Sequence, residues 1–509
     1  MKKEYILAHD LGTSGNKAAI YGLDGKLSAS VLCGYPTYYP EDGYVEQDPS
    51  DWWRAVCRST RKLLEKTGIN SLQIAAVCFS AQMMGCLLTD RQGNALRNMI
   101  TWADSRARRQ EEELVQRIGM KRCYQITGHR PSASYSAAKL LWIKENEPDI
   151  YRKAYRMLNA KDYIIHRLTG AFVTDYSDAS GTNFFDLEKK VWSREITEGL
   201  GLRMDLLPQL HPSTDIAGLV TPAAAKETGL AAGTPVVIGG GDGSCACVGA
   251  GVTEAGKTYC ALGSSSWISM ADKKPVYDPQ MRTFNWVHLD PGLYTPCGTM
   301  QAAGYSYQWF KNTFCGEEAA LAAERGESPY SLINEKAMRT PPGAGGLLYL
   351  PYLLGERSPR WNLQARGVFL GMKITTGKGE MARAVMEGVG YNLKAILDIF
   401  QEHLPVQDIA MIGGGAKGSE WMQILADIWQ KPLLVSGYPE EATSMGAAVC
   451  GGVGIGVFPD FRAAGRFGHE ERLIMPREEY RERYQELYDV FNGAYDALQE
   501  TFERLAGIK

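Results

Sequence analysis

Four short apolar runs set the frame of this chain, and each ends at a glycine. YILAHD at 5–10 and TYCAL at 258–262 are rich in β-formers and run into Leu11-Gly12-Thr13-Ser14-Gly15 and Leu262-Gly263-Ser264-Ser265-Ser266. A second β-rich run follows each turn, then a hairpin signal, Leu23-Asp24-Gly25 in one case and Ala271-Asp272-Lys273-Lys274 in the other, so the pattern predicts two strand–turn–strand units. The other two runs, PVVI and IAMI, lead into Gly239-Gly240-Gly241-Asp242 and Gly413-Gly414-Gly415-Ala416. Both are read as strands whose glycine turn opens a helix, which makes the chain a duplicated α/β domain with the two triple-glycine turns as counterparts. Near the C-terminus the period changes: Tyr480, Tyr484, Tyr488, Phe491, Tyr495, Leu498, Phe502 and Leu505 recur every three or four positions. That spacing predicts an amphipathic helix from about 476, packed on the body of the chain or on a second subunit, as in a homodimer.

The duplication is uneven in its chemistry. Asp10 ends the first strand, where the second half has Ala261; Asp242 ends one glycine turn, where the other has Ala416. Both acids fall in the first half. Hairpins of Gly, Ser and Thr offer N–H groups and hydroxyls to phosphate oxygens, and carboxylates can manage a metal and an attacking hydroxyl. Composition agrees with two soluble domains: 509 residues exceed one ordinary core, with 45% hydrophobic and 22% charged residues. A net charge of -3 argues against a nucleic-acid partner. Eleven cysteines without a C-x-x-C spacing and an N-terminus that does not look secretory predict reduced thiols in the cytoplasm, and no apolar run is long enough to cross a membrane.

One stretch invites a different reading. Residues 251–258, GVTEAGKT, fit the phosphate-loop pattern G-x-x-x-x-G-K-[ST] with Lys257 as its lysine. That mechanism needs a helix after the loop, to aim N–H groups at phosphate. TYCALGSSSWISM follows instead, and Glu254 sits inside the would-be anion cradle. A turn between strands is the better reading.

Longer segments resemble a known family. SYSAAKLLWIKEN at 134–146, and GVFLGM at 367–372 followed by EMARAVMEG at 380–388, fit the two signatures of the FGGY sugar kinases in the actin-like ATPase superfamily. DLGTSGNKA, GYVEQDPSDWW, ITWADSR, GGGDGS, LPYLLGERSP and IGGGAKGSEWMQILAD extend the agreement over nearly the whole chain, and xylulose kinases match best. The resemblance implies two actin-like (ribonuclease H-like) α/β domains, 1–252 and 253–509, with a catalytic cleft between them. It implies ATP and Mg²⁺ as cofactors, with the sugar site, catalytic acid and metal in the first domain and the nucleotide site in the second.

Carried over position by position, the resemblance makes Asp242 the catalytic base and Asp10, with Asp242, the metal-holding acids acting through water. Gly12, Thr13 and Ser14 meet the β- and γ-phosphates from the first domain, and Gly263 and Ser264 from the second. Gly304 and Gln308 lie beside the nucleotide, and Gly414, Gly415 and Ser419 contact the α-phosphate and adenosine. Gln82, Met83, Met84, Trp102 and Asp104 line the sugar pocket, where Asp104 and Arg106 either bind hydroxyls or pair with each other. Two positions depart from the xylulose kinase pattern: Met84 replaces a histidine and Gly243 an asparagine. D-xylulose is therefore the first expectation, with L-xylulose, ribulose, erythrulose, a polyol or gluconate as alternatives. A sensor that binds ATP and sugar without transferring phosphate is a reading from another class. Glu356 and Arg357 are expected to form a structural pair, the cysteines near the site to be small buried residues, and His9 to pack within its strand.

Overall fold

The computed structural model describes residues 2–467 and 472–508. The chain forms two compact units, one built from residues 1–255, 271–296 and 441–469, the other from 256–270, 297–440 and 470–509.

The first unit is organised by a six-stranded sheet. Its strands are β1 (Tyr5–Leu11), β2 (Gly15–Gly22), β3 (Leu27–Gly34), β4 (Ile74–Ala81), β5 (Ile216–Leu219) and β6 (Pro235–Gly241), in the spatial order β5-β6-β4-β1-β2-β3. β1 is antiparallel to β2 and parallel to β4, which is parallel to β6. β4 is buried at all eight positions, as expected of a parallel strand covered on both faces, and its run IAAVCFSA shows no polar alternation. One cover is the helix Pro49–Thr67, which has Asp48 as N-cap, proline in its first turn and left-handed Gly68 after its end, and which buries Trp52, Trp53, Val56 and Leu63. A second is the pair of helices Asp242–Gly249 and Ala442–Gly454. A Cβ on Gly249 would lie 1.8 Å from the Ala442 carbonyl oxygen and one on Gly446 1.9 Å from that of Cys245. Glycine thus lets the two helix backbones touch.

The second unit repeats this sheet. β7 (Thr258–Leu262), β8 (Ser266–Met270), β9 (Tyr294–Met300, of which 297–300 lie in this unit), β10 (Ile409–Ile412), β11 (Leu433–Val435) and β12 (Arg472–Ile474) run in the order β9-β8-β7-β10-β11-β12. The β7–β8 pair is antiparallel, β7, β10 and β11 are mutually parallel, and β12 closes the edge antiparallel. Strand for strand the order matches the first unit, with β1 and β7 in the same place. The triple-glycine turns do not match. Gly239–Gly241 end β6, whose counterpart is β11, whereas Gly413 follows β10, whose counterpart is β4. The sequence pairing of the two turns is therefore corrected. A glycine run marks close backbone approach wherever it occurs, and only hydrogen-bond order reveals equivalence.

The C-terminal stripe lies on the helix Arg481–Ala506, burying Tyr484, Tyr488, Phe491, Tyr495 and Phe502, while Leu505 is exposed. It packs on the body of its own unit. Tyr391 of the long helix Lys378–Gln401 touches the rings of Tyr484, Tyr488 and Phe491. Beneath them the Tyr484 hydroxyl donates to Glu387 at 2.8 Å and accepts from the buried Arg383 at 3.0 Å. Glu356 is held by Arg357 and by two further partners: its carboxylate accepts from the backbone N–H groups of Arg357 and Gln301 and from the Asn392 amide, and the Arg357 charge acts on it as well. All eleven cysteines are free thiols, and no helix among the described residues is long and apolar enough to cross a membrane.

Candidate active site

In the first unit three parallel strands carry the candidate chemistry in one row. Strand register sets Asp10 opposite Ser80, and Ser80 opposite Gly240. Asp242 follows two residues later, at the start of its helix. Gly239 makes this possible. Its φ is +74°, the β4–β6 register shifts between Val237 and Gly240, and a Cβ at Gly239 would fall 1.9 Å from the Phe79 carbonyl oxygen. The bulge re-aims the end of the strand.

The two acids have different surroundings. Asp10 accepts from Ser80 Oγ at 3.0 Å and from Thr443 Oγ1 at 2.6 Å. Burial pushes its carboxyl up, and these two hydroxyls and Lys17 oppose the shift. Asp242 is half-buried at its surface and hemmed in by protein; its Oδ1 accepts from the Gly243 N–H at 2.7 Å. Desolvation, then the charge of Asp10, push its carboxyl up to about 7. His9 stacks on Phe79, accepts a bond from Asn16, and is held to about 3 by burial, so it is a neutral core residue.

The hairpin between β1 and β2 closes with the Gly12 N–H on the Gly15 carbonyl at 3.0 Å, leaving Thr13 and Ser14 exposed. Side chains brace it from behind. Tyr35 OH donates to the Gly12 carbonyl, Gln47 Nε2 to the Thr13 carbonyl at 2.7 Å, and Trp102 Nε1 to Thr13 Oγ1 at 3.1 Å. Gln47 links this hairpin to the expected sugar pocket, since its Oε1 accepts from Trp52 Nε1 at 3.1 Å and from Gln82 Nε2 at 2.7 Å. Because an indole only donates, Trp52 fixes the orientation of Gln47, which in turn fixes Gln82. Gln82 Oε1 is left buried without a partner, an acceptor awaiting a donor.

The rest of the pocket segment is tightly held. Met84 has φ +66°, a conformation uncommon for a side chain of this size, and Lys139 Nζ grips its carbonyl at 2.7 Å. Ser136 Oγ holds the next carbonyl, of Gly85, at 2.7 Å. Both grips come from the helix Ser136–Asn146, inside the first signature. Met83 is buried against Gly241, where a Cβ would meet its sulfur at 2.3 Å. Asp104 takes the pairing course of its two readings: it accepts from Arg106 Nε at 3.0 Å, from Arg106 Nη2 at 2.8 Å and from the Val45 N–H at 2.6 Å. Arg106 also meets Glu46 at 2.8 Å and lies over Tyr44.

In the second unit the expected nucleotide residues gather at the end of β7. The Gly263 N–H bonds the Ser265 carbonyl at 3.0 Å and Ser264 is exposed, in the same style as the first hairpin. Gly304 opens the helix Gly304–Phe314 against this turn, its N–H 2.9 Å from the Gly263 carbonyl oxygen, and a Cβ there would lie 2.4 Å from that oxygen. Gln308 is exposed one turn further along that helix. Gly413 has φ +89° with its would-be Cβ 2.6 Å from the Leu262 carbonyl oxygen, and Gly415 packs on the Leu262 side chain. Ser419 starts the helix Ser419–Trp429, and its hydroxyl donates to Glu420 at 3.1 Å. Lys257 is half-exposed, precedes β7 rather than a helix, and pairs with Asp408 at 3.5 Å.

The sequence reading missed Ser80, Thr443, Gln47 and Lys139 as residues that shape the site. Of these, Lys139 and Gln47 lay in segments already singled out, SYSAAKLLWIKEN and GYVEQDPSDWW. Thr443 lies 433 positions from the carboxylate it binds, so no local signal could have named it.

Residues 5–249 match the FGGY family of carbohydrate kinases, N-terminal domain, and residues 258–455 its C-terminal domain. A xylulose kinase of Bacillus subtilis is 33% identical over 494 residues, 97% of each chain. A gluconokinase of Bacillus licheniformis is 30% identical over 506 residues, 99% of this chain and 98% of the relative. Among solved structures, ligand-bound xylulose kinase from Lactobacillus acidophilus superposes with a TM-score of 0.91 at 28% identity, over 98% of this chain and 99% of that one. The fold is the two-domain actin-like α/β fold, and the chain belongs to the FGGY family of carbohydrate kinases, phosphotransferases that act on a sugar hydroxyl.

Proposed function

We propose that this kinase transfers the γ-phosphoryl group of ATP to a hydroxyl of a ketopentose, D-xylulose first among them, with Asp242 as the base. The observation that carries this reading is the placement of Asp242. Its Oδ1 is tied to the Gly243 N–H at 2.7 Å, leaving Oδ2 to accept the hydroxyl proton as the phosphoryl group departs. Phosphoryl transfer asks mainly for positioning of the nucleophile. Gln82 Oε1, buried and unpartnered, takes a second sugar hydroxyl, and Met83, Met84 and Trp102 supply apolar walls.

The choice of sugar rests on charge and on the relatives. Two cations that touch the pocket residues are committed, Lys139 to the carbonyls of Met84 and Ser134 and Arg106 to Asp104 and Glu46. That favours a neutral sugar over an acid such as gluconate, although a gluconokinase is among the relatives. Gly243 leaves open space where a Cβ would meet nothing within 4 Å. Thr13, Ser14 and the hairpin N–H groups serve the β- and γ-phosphates, as do Gly263 and Ser264 of the second unit. Gly304, Gln308, Gly414, Gly415 and Ser419 serve the rest of the nucleotide.

Asp10 and Asp242 fit a magnesium ion. They offer hard carboxylate oxygens, and the charge of Asp10 already raises Asp242, a repulsion that a divalent cation relieves. When bound, the ion would neutralise charge on the phosphates. The test is ADP release over D-xylulose, L-xylulose, D- and L-ribulose, erythrulose, erythritol and gluconate. D-xylulose with the highest kcat/KM supports the reading, another sugar replaces only its substrate, and no ADP with any of them sinks it in favour of a sensor.

A further inference from the structure

Behind the Asp242 turn lies a buried ionic cluster to which the proposed chemistry assigns no part. Lys161 is fully buried, and its ammonium meets three equally buried carboxylates: Asp162 at 2.6 Å, Asp175 at 2.9 Å and Asp178 at 3.1 Å. Three acids around one lysine is a costly arrangement to bury, and its bonds run towards the site. Asp175 Oδ2 accepts from Ser213 Oγ at 2.8 Å and from the Ser177 N–H at 2.8 Å, and also from the Ser177 hydroxyl. With its proton given to a carboxylate, which can only accept, the Ser177 oxygen turns a lone pair to the Gly241 N–H at 3.0 Å.

The other side of the turn is held through the same segment. Ser180 Oγ donates to the Ser177 carbonyl at 2.5 Å and accepts from the Val287 N–H at 3.3 Å. The Val287 carbonyl in turn accepts from Ser244 Oγ at 2.9 Å. One chain of hydrogen bonds thus leaves Gly241, passes through Ser177, Ser180 and Val287, and returns at Ser244, straddling Asp242. The glycines admit it: a Cβ at Gly240 would lie 2.6 Å from Ser177 Oγ and 2.3 Å from a Leu289 methyl.

We propose that Ser177 and Ser180, anchored by the Lys161–Asp175 ion pair, are positioning residues that fix the backbone on both sides of Asp242 and so aim its carboxylate at the sugar hydroxyl. The inference rests on Asp242 being the base. A merely structural cluster would defend folding alone; a positioning one defends turnover, because a shift of about 1 Å at a reacting group can cost a factor of about 10².

The full-length Ser177→Ala enzyme is compared with the parent, with Asp242→Asn, and with Leu397→Ala, a core change in the second unit that serves as a stability control. For Ser177→Ala the expected result is a kcat lowered about 10- to 100-fold, with KM for sugar and for ATP within about twofold and little loss of melting temperature. Leu397→Ala is expected to lose melting temperature while keeping kcat. A Ser177→Ala kcat within about twofold of the parent, or a loss that Leu397→Ala reproduces, overturns the inference. If Ser177→Ala does not accumulate folded, Ser180→Ala reads the other arm by the same criteria. An active Asp242→Asn enzyme removes the base itself, whereas an inactive Asp242→Asn beside a normal Ser177→Ala removes only the clamp.

Discussion

The two triple-glycine turns share a sequence and differ in nearly everything that function requires. Gly239 and Gly413 both take a positive φ, and both press against the carbonyl of a neighbouring strand residue, Phe79 in one unit and Leu262 in the other. Beyond that point they part. The first turn stays in the sheet through Gly241, enters a helix at Asp242 and is laced to Ser177 and Ser244 by side chains. The second leaves its strand at Ile412, passes through a single 3₁₀ turn, Gly414–Lys417, and has exposed Gly414 in its middle. Glycine supplies the bend; the neighbouring strands and helices decide whether the bend carries a braced carboxylate or an open backbone surface.

The largest effect expected from this contrast is at the acid itself. Asp242→Asn lowers sugar-dependent ADP release by about 10³-fold with nucleotide binding retained, while Ala416→Asp restores nothing to it, as steady-state rates and ADP titrations would show. A double mutant that regained turnover would make the two turns interchangeable after all. Next come the middle glycines. Gly240→Ala must push against Leu289 and Ser177 and costs about 2 kcal/mol, whereas the Cβ of Gly414→Ala meets only Glu440, at 3.4 Å, and costs about 0.5 kcal/mol or less. Urea unfolding of the pair checks this, and equal losses would break the contrast.

A smaller effect sets a buried acid of the second unit beside Asp242. Burial pushes Glu356 up to about 8 despite its three hydrogen bonds. A carboxyl raised on folding contributes stability that is complete below its unfolded value, 4.5, and is lost as pH rises through 8. Glu356→Gln is therefore expected to flatten the fall in melting temperature between pH 5 and 9; an unchanged slope assigns that fall to other groups. The smallest change is at Lys257. Its alanine variant keeps parental activity and loses about 0.5 kcal/mol or less, the worth of an exposed pair, and a loss of ATP turnover would return the phosphate-loop reading.

Much of the candidate site was legible because its residue patterns are local. Hairpins such as Gly12–Gly15 and Gly263–Ser266 need small residues at consecutive positions, and an acid placed at a helix start follows its glycines directly, so Asp10, Thr13, Ser264 and Asp242 stand out in the sequence. The C-terminal stripe was equally plain, since one helix face is written in a single period. The sequence left open whether Asp104 and Arg106 bind sugar or each other, and it made counterparts of two turns that are not. Only the tertiary structure decided these points, because strand order, the hold of Thr443 on Asp10, the free oxygen of Gln82 and the serines behind Asp242 arise between residues tens to hundreds of positions apart. Local patterns specify backbone geometry and residue chemistry; which groups meet, and which are left without a partner, depends on packing that no single stretch contains.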